Sequence, residues 1–185
     1  MGKLKKKQDG FTVVELMIAL ALLLIILATG YMFFGFGFRS FNRGEQRAIA
    51  QQSIRTAAAF ISSEIRYANL ITINPETVST SDDFNYIYLN GDSVYYQDKD
   101  KSIPPKTLLD GTVDQMSYSI IFMEDSYVVA SSKVTLVLAF NLAADSIYSL
   151  DTNVFILNLE DSSNYNDLSA QTGNVTGIKY QKPFD

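Results

Sequence analysis

The sequence predicts an α+β protein in which a long N-terminal helix packs on a mainly antiparallel β-sheet head. Three observations predict this fold. Residues 16–38 form a run of 23 residues without a charge, and residues 50–68 carry an apolar stripe at helical spacing. Beyond residue 69, short β-prone runs alternate with turn residues. With 185 residues, the chain has room for one domain of this kind plus one additional element.

The composition narrows the chemistry that the chain can perform. It contains no Cys, no His and no Trp. The absence of cysteine excludes disulfides, thiolate nucleophiles and Cys-ligated metals, and the absence of histidine removes the commonest general base. Neither a G-x-S-x-G motif nor a Gly-rich phosphate loop is present. We therefore expect no catalytic residue, no metal site and no cofactor, and we do not expect an enzyme.

The net charge of −5 combines segments of opposite sign. Residues 1–10 carry four Lys and one Asp, residues 39–66 carry five Arg and two Glu, and residues 68–185 carry six Lys and sixteen acids. This asymmetry indicates four segments with different roles. They are a basic leader over 1–10, a membrane-spanning or filament-core half of the helix over 11–38, an amphipathic half over 39–68 and a β-rich head over 69–185.

The two halves of the helix have different surfaces. The uncharged run is long enough to cross a bilayer core, which takes about 20 residues. Gly44 is the strong helix breaker between the halves, and the sequence leaves open whether it hinges or only bends the helix. We expect the stripe of the second half to pack under the sheet of the head, with a partner helix as the alternative. The stripe consists of Ala50, Ile54, Ala57, Ile61, Ile65 and Ala68.

Turn signals and alternation organise the head. Asn85–Asn90 and Ser93–Gln97 flank Gly91-Asp92 as a predicted hairpin. A strand with one buried face is predicted over Lys133–Leu142, because large apolar residues occupy every second position: Val134, Leu136, Leu138, Phe140 and Leu142. Further strands are predicted over 116–122, 126–130, 147–150 and 154–159, a turn at 110–111, a break at the prolines 104–105 and loops from Glu160 onward.

Two local patterns in the head invite a functional interpretation. Tyr86, Tyr88, Tyr95 and Tyr96 are either half-buried sheet residues or an exposed binding face. Asp98-Lys-Asp100-Lys-Ser102 begins like a calcium loop, but Ile103 and Leu109 occupy the positions where such a loop needs glycine and an acid. We therefore do not expect calcium binding there.

The N-terminus has two simple interpretations. It is either an uncleaved signal anchor or a secretory signal peptide cleaved after Ala28-Thr29-Gly30. Cleavage after Gly30 would leave a strongly apolar mature start and would not explain the carboxylate of Glu15 within the apolar run. The positive-inside rule does not decide the question, because arginines follow the run almost as densely as lysines precede it.

A third interpretation rests on the junction Lys5-Lys6-Lys7-Gln8-Asp9-Gly10 and Phe11-Thr12-Val13-Val14-Glu15-Leu16. It resembles the processing signal of type IV pilins and of the pseudopilins of type II secretion and competence systems. The resemblance implies cleavage after Gly10 and N-methylation of Phe11 by a prepilin peptidase. It also implies that Glu15 guides filament assembly and register. The basic residues of the leader are Lys3, Lys5, Lys6 and Lys7.

The physical chemistry of Glu15 agrees with this resemblance. A lone charge within a membrane span costs about 2.5–3.5 kcal/mol on insertion scales, so it normally has a partner or a role. One interpretation is tolerance near the interface and the helix dipole. The other is pairing with the freed amine of Phe11 in a neighbouring subunit. Two departures from the usual pattern are Val13-Val14 and the absence of a proline in the apolar half.

The resemblance implies a pilin-like fold and a structural function. The layout of the head, including the run from Tyr148 to Val154, is similar to minor pilins. The expected partners are prepilin peptidase, other pilin subunits in a helical filament, the inner-membrane pilus assembly platform and membrane lipid before assembly. No specific nucleic acid is expected. The expected location is the cytoplasmic membrane, with the N-terminus cytoplasmic, and then a cell-surface filament. A pseudopilin, an uncleaved single-pass binding protein and a filament-tip adhesin or DNA receptor remain alternatives.

Overall fold

The computed structural model describes residues 10–73, 82–130, 133–157, 159 and 176–183. A single helix, α1, extends from Val13 to Ile65 and continues through Gly44. The residues that follow Gly44 (Glu45, Gln46, Arg47 and Ala48) are strong helix formers, which offset the roughly 1 kcal/mol that glycine costs in a helix. The chain divides into two compact units, one ending at Glu45 and one beginning at Gln46.

The first unit consists of the apolar part of α1. Its large hydrophobic side chains, from Val13 to Phe41, are all at least 54% exposed. The helix is long and apolar enough to cross a membrane. No residue of its most apolar 18-residue stretch is buried within the chain. Exposure of so large an apolar surface to water is unfavourable. This part of the helix therefore requires apolar contacts with molecules outside the chain.

The second unit contains the end of α1 and the head. Its described elements are β1 Leu70–Ile73, β2 Asn85–Asn90, β3 Ser93–Gln97, β4 Lys106–Leu109, α2 Gly111–Asp114, β5 Tyr118–Ala130, β6 Lys133–Ala144, β7 Tyr148–Ile156 and β8 Gly177–Gln181. The strands form a five-stranded sheet in the order β1-β8-β2-β3-β4 and a three-stranded sheet in the order β5-β6-β7. All pairs are antiparallel.

The predicted helix stripe lies in the core of the head. All six of its residues are buried, which confirms the prediction that it packs under the sheets of the head. Alternate residues of both sheets complete the same cluster, since each strand turns one face inward. They include Ile87, Val94 and Ile178 from the first sheet and Ile120, Phe122, Leu138 and Phe140 from the second.

The hairpin of β2 and β3 forms where the sequence predicts it. Asn90 pairs with Ser93, and Gly91 in the turn has a φ of +60°. Other boundaries differ from expectation. The runs 116–122 and 126–130 are one strand, β5, with a bulge between Glu124 and Ser126. The runs 147–150 and 154–159 are likewise one strand, β7, ending at Ile156. The polar residues between these runs continue the strands instead of ending them.

The expectation of loops from Glu160 onward is wrong for residues 177–181. These residues form β8, an interior strand of the first sheet that lies between β1 and β2. Ile178 and Tyr180 are fully buried. The apolar alternation Ile178-Lys179-Tyr180 is too short to identify a strand from the sequence, and its pairing is with distant residues. Residues 160–175 lie outside the described residues.

The end of β8 is fixed to α1 by a polar cluster. The hydroxyl of Tyr180 donates a hydrogen bond to Oε2 of Glu64 at 2.8 Å, and Nζ of Lys182 lies 2.7 Å from the same oxygen. Because Tyr180 is buried, its hydroxyl needs such a partner. The cluster therefore holds the C-terminal strand against the helix.

One end of the head is built from three turns that meet. Asp110 caps α2, since its Oδ1 accepts from the backbone N–H of Thr112 and Val113 at 3.0 and 3.2 Å. The amide of Asp145 donates to the carbonyl of Ser117 at 2.9 Å, and the amide of Tyr118 donates to the carbonyl of Asp92 at 3.2 Å. The predicted turn at residues 110–111 is therefore the start of a short helix that connects the two sheets.

Candidate functional site

The start of α1 has a reciprocal hydrogen-bonding arrangement between two side chains. The amide and the hydroxyl of Thr12 both donate to Oε2 of Glu15, each at 2.9 Å. The amide of Glu15 in turn donates to Oγ1 of Thr12 at 3.2 Å. This is a capping box, in which an N-terminal Thr and a Glu three residues later each satisfy a free amide of the helix start.

The capping box explains how a carboxylate is accommodated at this position. Glu15 is the only ionisable side chain between Phe11 and Phe38 apart from the phenol of Tyr31. Unsatisfied backbone amides are costly in an apolar environment, and the box removes part of that cost. Oε1 of Glu15 has no hydrogen-bond partner among the described residues, so it remains available to a donor from outside the chain.

The capping box can be recognised in the sequence itself, although the pilin-like signal alone does not point to it. Thr-x-x-Glu directly before an apolar run is the pattern of a capping box, and residues 12–15 fit it. The interpretation from sequence assigned Glu15 to the helix dipole or to a neighbouring subunit. The structure adds Thr12 as the residue that orients the carboxylate.

The bond between Gly10 and Phe11 lies just outside the helix. Both residues have non-helical backbone, Gly10 is exposed, and the Phe11 side chain is 87% exposed. A peptide bond of this kind is open to an enzyme, whereas a bond within the helix is held by helical hydrogen bonds. The four leader lysines lie outside the described residues.

The four tyrosines of β2 and β3 do not form a common exposed face. Tyr86 is buried, with its hydroxyl bonded to Asp82 and the ammonium of Lys101 4.6 Å from its ring centre. Tyr96 points to the opposite side of the sheet, where its ring lies 5.3 Å from that of Phe60.

The other two tyrosines, Tyr88 and Tyr95, are stacked on each other with ring centres 5.8 Å apart. Both are half-buried. A binding face made of all four tyrosines is thus ruled out by the alternation of the strands.

The loop that resembles a calcium site uses its acids to bind its own backbone. The carboxylate of Asp98 accepts from the amide of Asp100, and the carboxylate of Asp100 accepts from the amide and hydroxyl of Ser102. Within the described residues, no three acidic side chains are placed to hold a metal ion.

Residues 5–31 match the protein family described as the prokaryotic N-terminal methylation motif. Among solved structures, the PilB minor pilin from Streptococcus sanguinis is similar, with a TM-score of 0.53 and 17% identity over 71% of this chain and 33% of that chain. The chain therefore has a pilin-like fold and carries a methylation motif at its N-terminus. The D319A mutant of the same PilB gives a TM-score of 0.50 and 15% identity over 74% of this chain and 35% of that chain.

These comparisons establish the fold of the pilin-like chain and the signal at its N-terminus. The match spans about a third of the length of the PilB structures. No curated protein sequence matches the chain. The matched motif includes Gly10, Phe11 and Glu15, so the family signal and the capped helix start are the same region of the molecule.

Proposed function

We propose that this pilin-like chain is a structural subunit, a minor pilin, of a type IV pilus. In this proposal, prepilin peptidase removes residues 1–10 and methylates the new N-terminus at Phe11, and the mature subunit polymerises through α1. The observation that carries the proposal is the exposed Gly10–Phe11 bond directly before a capped apolar helix, inside a methylation motif.

In this proposal, the exposed apolar half of α1 is surrounded first by lipid and later by other subunits. Before assembly it lies in the lipid of the cytoplasmic membrane as a single span, with the N-terminus in the cytoplasm and the head outside. After assembly the same side chains pack against the helices of other pilin subunits in the filament at the cell surface. The transfer from the membrane is the task of the assembly platform.

Glu15 gives the assembly step its selectivity. Processing converts the amide of Phe11 into an amine, which stays cationic after methylation. In an apolar filament core, a cation and a carboxylate are each costly alone and strongly favour each other. The capping box holds Oε2 of Glu15 and leaves Oε1 for the amine of a neighbouring subunit. Correct pairing then sets the axial register.

Replacement of the carboxylate tests this step. We expect Glu15→Val to be cleaved and methylated normally but to enter filaments far less than the wild type, because the neighbour's amine loses its counter-charge. The measurement compares the mature N-terminus by mass spectrometry with the amount of the chain in sheared filaments.

Thr29→Val is the matched control within the same apolar helix. Among the described residues, the Thr29 hydroxyl donates to the carbonyls of Ile25 and Ile26 in its own helix, so its loss leaves no charge unpaired. We expect this variant to assemble at the wild-type level. Wild-type filament content of Glu15→Val would refute the proposed role of the carboxylate.

A further inference from the structure

The turn between β2 and β3 contains the only Asn-Gly pair of the sequence, Asn90-Gly91. The backbone nitrogen of the residue after an asparagine can attack the carboxamide of that asparagine, which gives a cyclic imide. A side chain on the following residue hinders this attack, and glycine has none. Asn90 is therefore the asparagine whose sequence context favours this chemistry most, and the fold of the turn decides whether it reacts.

Both groups that must react are accessible. Asn90 and Gly91 are exposed, and within the described part of the chain neither the Asn90 carboxamide nor the Gly91 amide has a hydrogen-bond partner. Gly91 has a φ of +60°, and apart from its chain neighbours no atom lies within 4 Å of the position that a Cβ would take. The nitrogen of Gly91 can therefore be approached without a steric obstacle.

The strand pairing and the contacts of Asp92 restrain the turn. Asn90 is the last residue of β2 and pairs with Ser93. Ring closure requires Asn90 to leave its extended conformation, so this terminal pair has to open, and such opening costs least at the end of a hairpin. The carboxylate of Asp92 accepts a hydrogen bond from the hydroxyl of Ser117, and its carbonyl accepts one from the amide of Tyr118. These bonds limit how often the turn opens.

The pair Asp110-Gly111 is protected from the same chemistry. An Asp-Gly pair forms the same imide with loss of water instead of ammonia. Gly111 is buried, and its amide donates to Oγ of Ser93 at 3.0 Å. The carboxylate of Asp110 accepts from the amides of Thr112 and Val113. Both reacting groups are thus held by other partners, in contrast to those of Asn90-Gly91.

We propose that Asn90 is a site of spontaneous covalent modification, at which water converts the asparagine to aspartate and isoaspartate. The Gly91 nitrogen loses its proton and forms a bond to Cγ of Asn90, while the bond from Cγ to the carboxamide nitrogen breaks and ammonia leaves. Water then opens the imide. Cleavage of the new bond to Cγ gives aspartate, and cleavage of the original peptide bond gives isoaspartate. In sum, asparagine and water give the acid and ammonia.

The isoaspartyl product changes the turn more than the aspartyl product does. Both carry a new negative charge, but isoaspartate leads the main chain through its Cβ and Cγ, so the backbone gains one atom. The additional atom displaces Asp92, which is bonded to Ser117 and Tyr118 and whose carbonyl lies against Gly111. The modification therefore loosens the attachment of the β2–β3 turn to α2 and β5.

Incubation of the purified full chain in detergent, at neutral and at mildly alkaline pH, tests the site. Trypsin releases residues 67–99 as one peptide, and tandem mass spectrometry measures the acid form of residue 90 against a sample at time zero. We expect the acid form to accumulate with time, and faster at alkaline pH because the attacking nitrogen must lose its proton. Asn42, which is exposed on α1 and followed by Arg43, should keep its amide in the same samples.

Three variants test the route. Asn90→Gln has a longer side chain that disfavours ring closure and should stay unmodified at this position. Ser117→Ala removes the hydroxyl that holds Asp92, so the acid form should appear about two- to tenfold faster, the factor expected from one hydrogen bond. Ser63→Ala is the matched control, because its hydroxyl donates to the carbonyl of Phe60 within α1. This variant should react at the wild-type rate.

Thermal unfolding tests the structural consequence. Fresh Asn90→Asp carries the new charge without the additional backbone atom, and incubated Asn90→Gln reports changes elsewhere in the chain. We expect the incubated wild type to unfold at a lower temperature than either of them. Equal unfolding temperatures would show that the isoaspartyl form does not loosen the turn.

An unmodified Asn90 in the folded chain, under conditions in which the urea-unfolded chain is converted, would overturn the proposal. Equal conversion of Asn42 would overturn the selectivity for the turn, and a wild-type rate in Ser117→Ala would overturn the role of the Asp92 contact. The reaction needs no other protein. None of these results therefore depends on the proposed function, which the mature N-terminus tests separately.

Discussion

At Gly111 the backbone passes so close to the β2–β3 turn that no side chain fits. A Cβ built at this position would lie 2.3 Å from the carbonyl oxygen of Asp92 and 2.6 Å from that of Met116. Both neighbours are backbone atoms, so they cannot rotate away. The glycine that sequence reasoning identified as a turn residue is therefore required by close packing between α2 and the first sheet.

We expect Gly111→Ala to destabilise the head by about 1–3 kcal/mol, the typical cost of forcing extra atoms into a packed site. Thermal unfolding of the full chain in detergent measures the change. Gly177→Ala is the control, because a Cβ there would meet its nearest neighbours, the Ile87 carbonyl oxygen and the Tyr88 Cβ, at 3.4 Å. Equal losses of stability in the two variants would contradict the steric explanation.

We expect Tyr118 to make the stability of the head sensitive to alkaline pH. Burial, together with the hydrogen bond from its hydroxyl to Asp114, raises the pKa of Tyr118 to about 12. Burial also raises the pKa of Tyr180. When the folded pKa exceeds the unfolded one, the stability that depends on the neutral phenol is complete below the unfolded pKa and is lost as the pH rises towards the folded pKa.

We therefore expect the unfolding free energy to fall between about pH 10 and pH 12. Tyr118→Phe should remove part of this fall, on the order of 1–3 kcal/mol, because phenylalanine cannot ionise. Denaturant unfolding at a series of pH values, with phenolate absorbance recorded in parallel, provides the measurement. An identical pH dependence in the variant would show that Tyr118 does not contribute.

At the scale of elements, the part of α1 within the second unit has one face buried against the head and one face exposed. Ile61 is fully buried in the core of the head, whereas Ile49, twelve residues earlier on the same helix, is exposed. The spacing of the apolar residues identifies the buried stripe, because only one face of a helix can meet a sheet.

We expect Ile61→Ala to destabilise the head by about 2–5 kcal/mol, since it removes buried methylene groups and leaves a cavity. Ile49→Ala removes the same atoms from an exposed position and should cost much less. The midpoint of chemical denaturation of the full chain distinguishes the two variants. Similar midpoints would mean that the helix does not pack on the head in this register.

Local elements were predictable from the sequence, and elements that depend on distant partners were not. The β2–β3 hairpin is specified by its own turn residues, and the helix stripe by its own spacing. β8 has no such local signal, because its place between β1 and β2 depends on pairing with strands about a hundred residues away. The capping box of Thr12 and Glu15 was readable from four residues, whereas the close approach of Gly111 to the β2–β3 turn required the topology.

At the scale of the whole molecule, charge and apolar surface are separated along the chain. The exposed apolar half of α1 requires lipid or other helices, the segment over 39–66 is basic, and the head is acidic. The leader adds +3 at the N-terminus. In the proposed function, processing removes these leader charges and creates the charged amine of Phe11, four residues before Glu15.

The central claim is processing between Gly10 and Phe11, and the mature N-terminus tests it most directly. The chain is expressed with a prepilin peptidase, and its N-terminal peptide is identified by mass spectrometry, together with Gly10→Leu and Gly30→Leu. We predict N-methyl-phenylalanine at Phe11 in the wild type and in Gly30→Leu, and an uncleaved leader in Gly10→Leu. An intact Met1 in the wild type, or a mature chain beginning at Tyr31, would contradict the account.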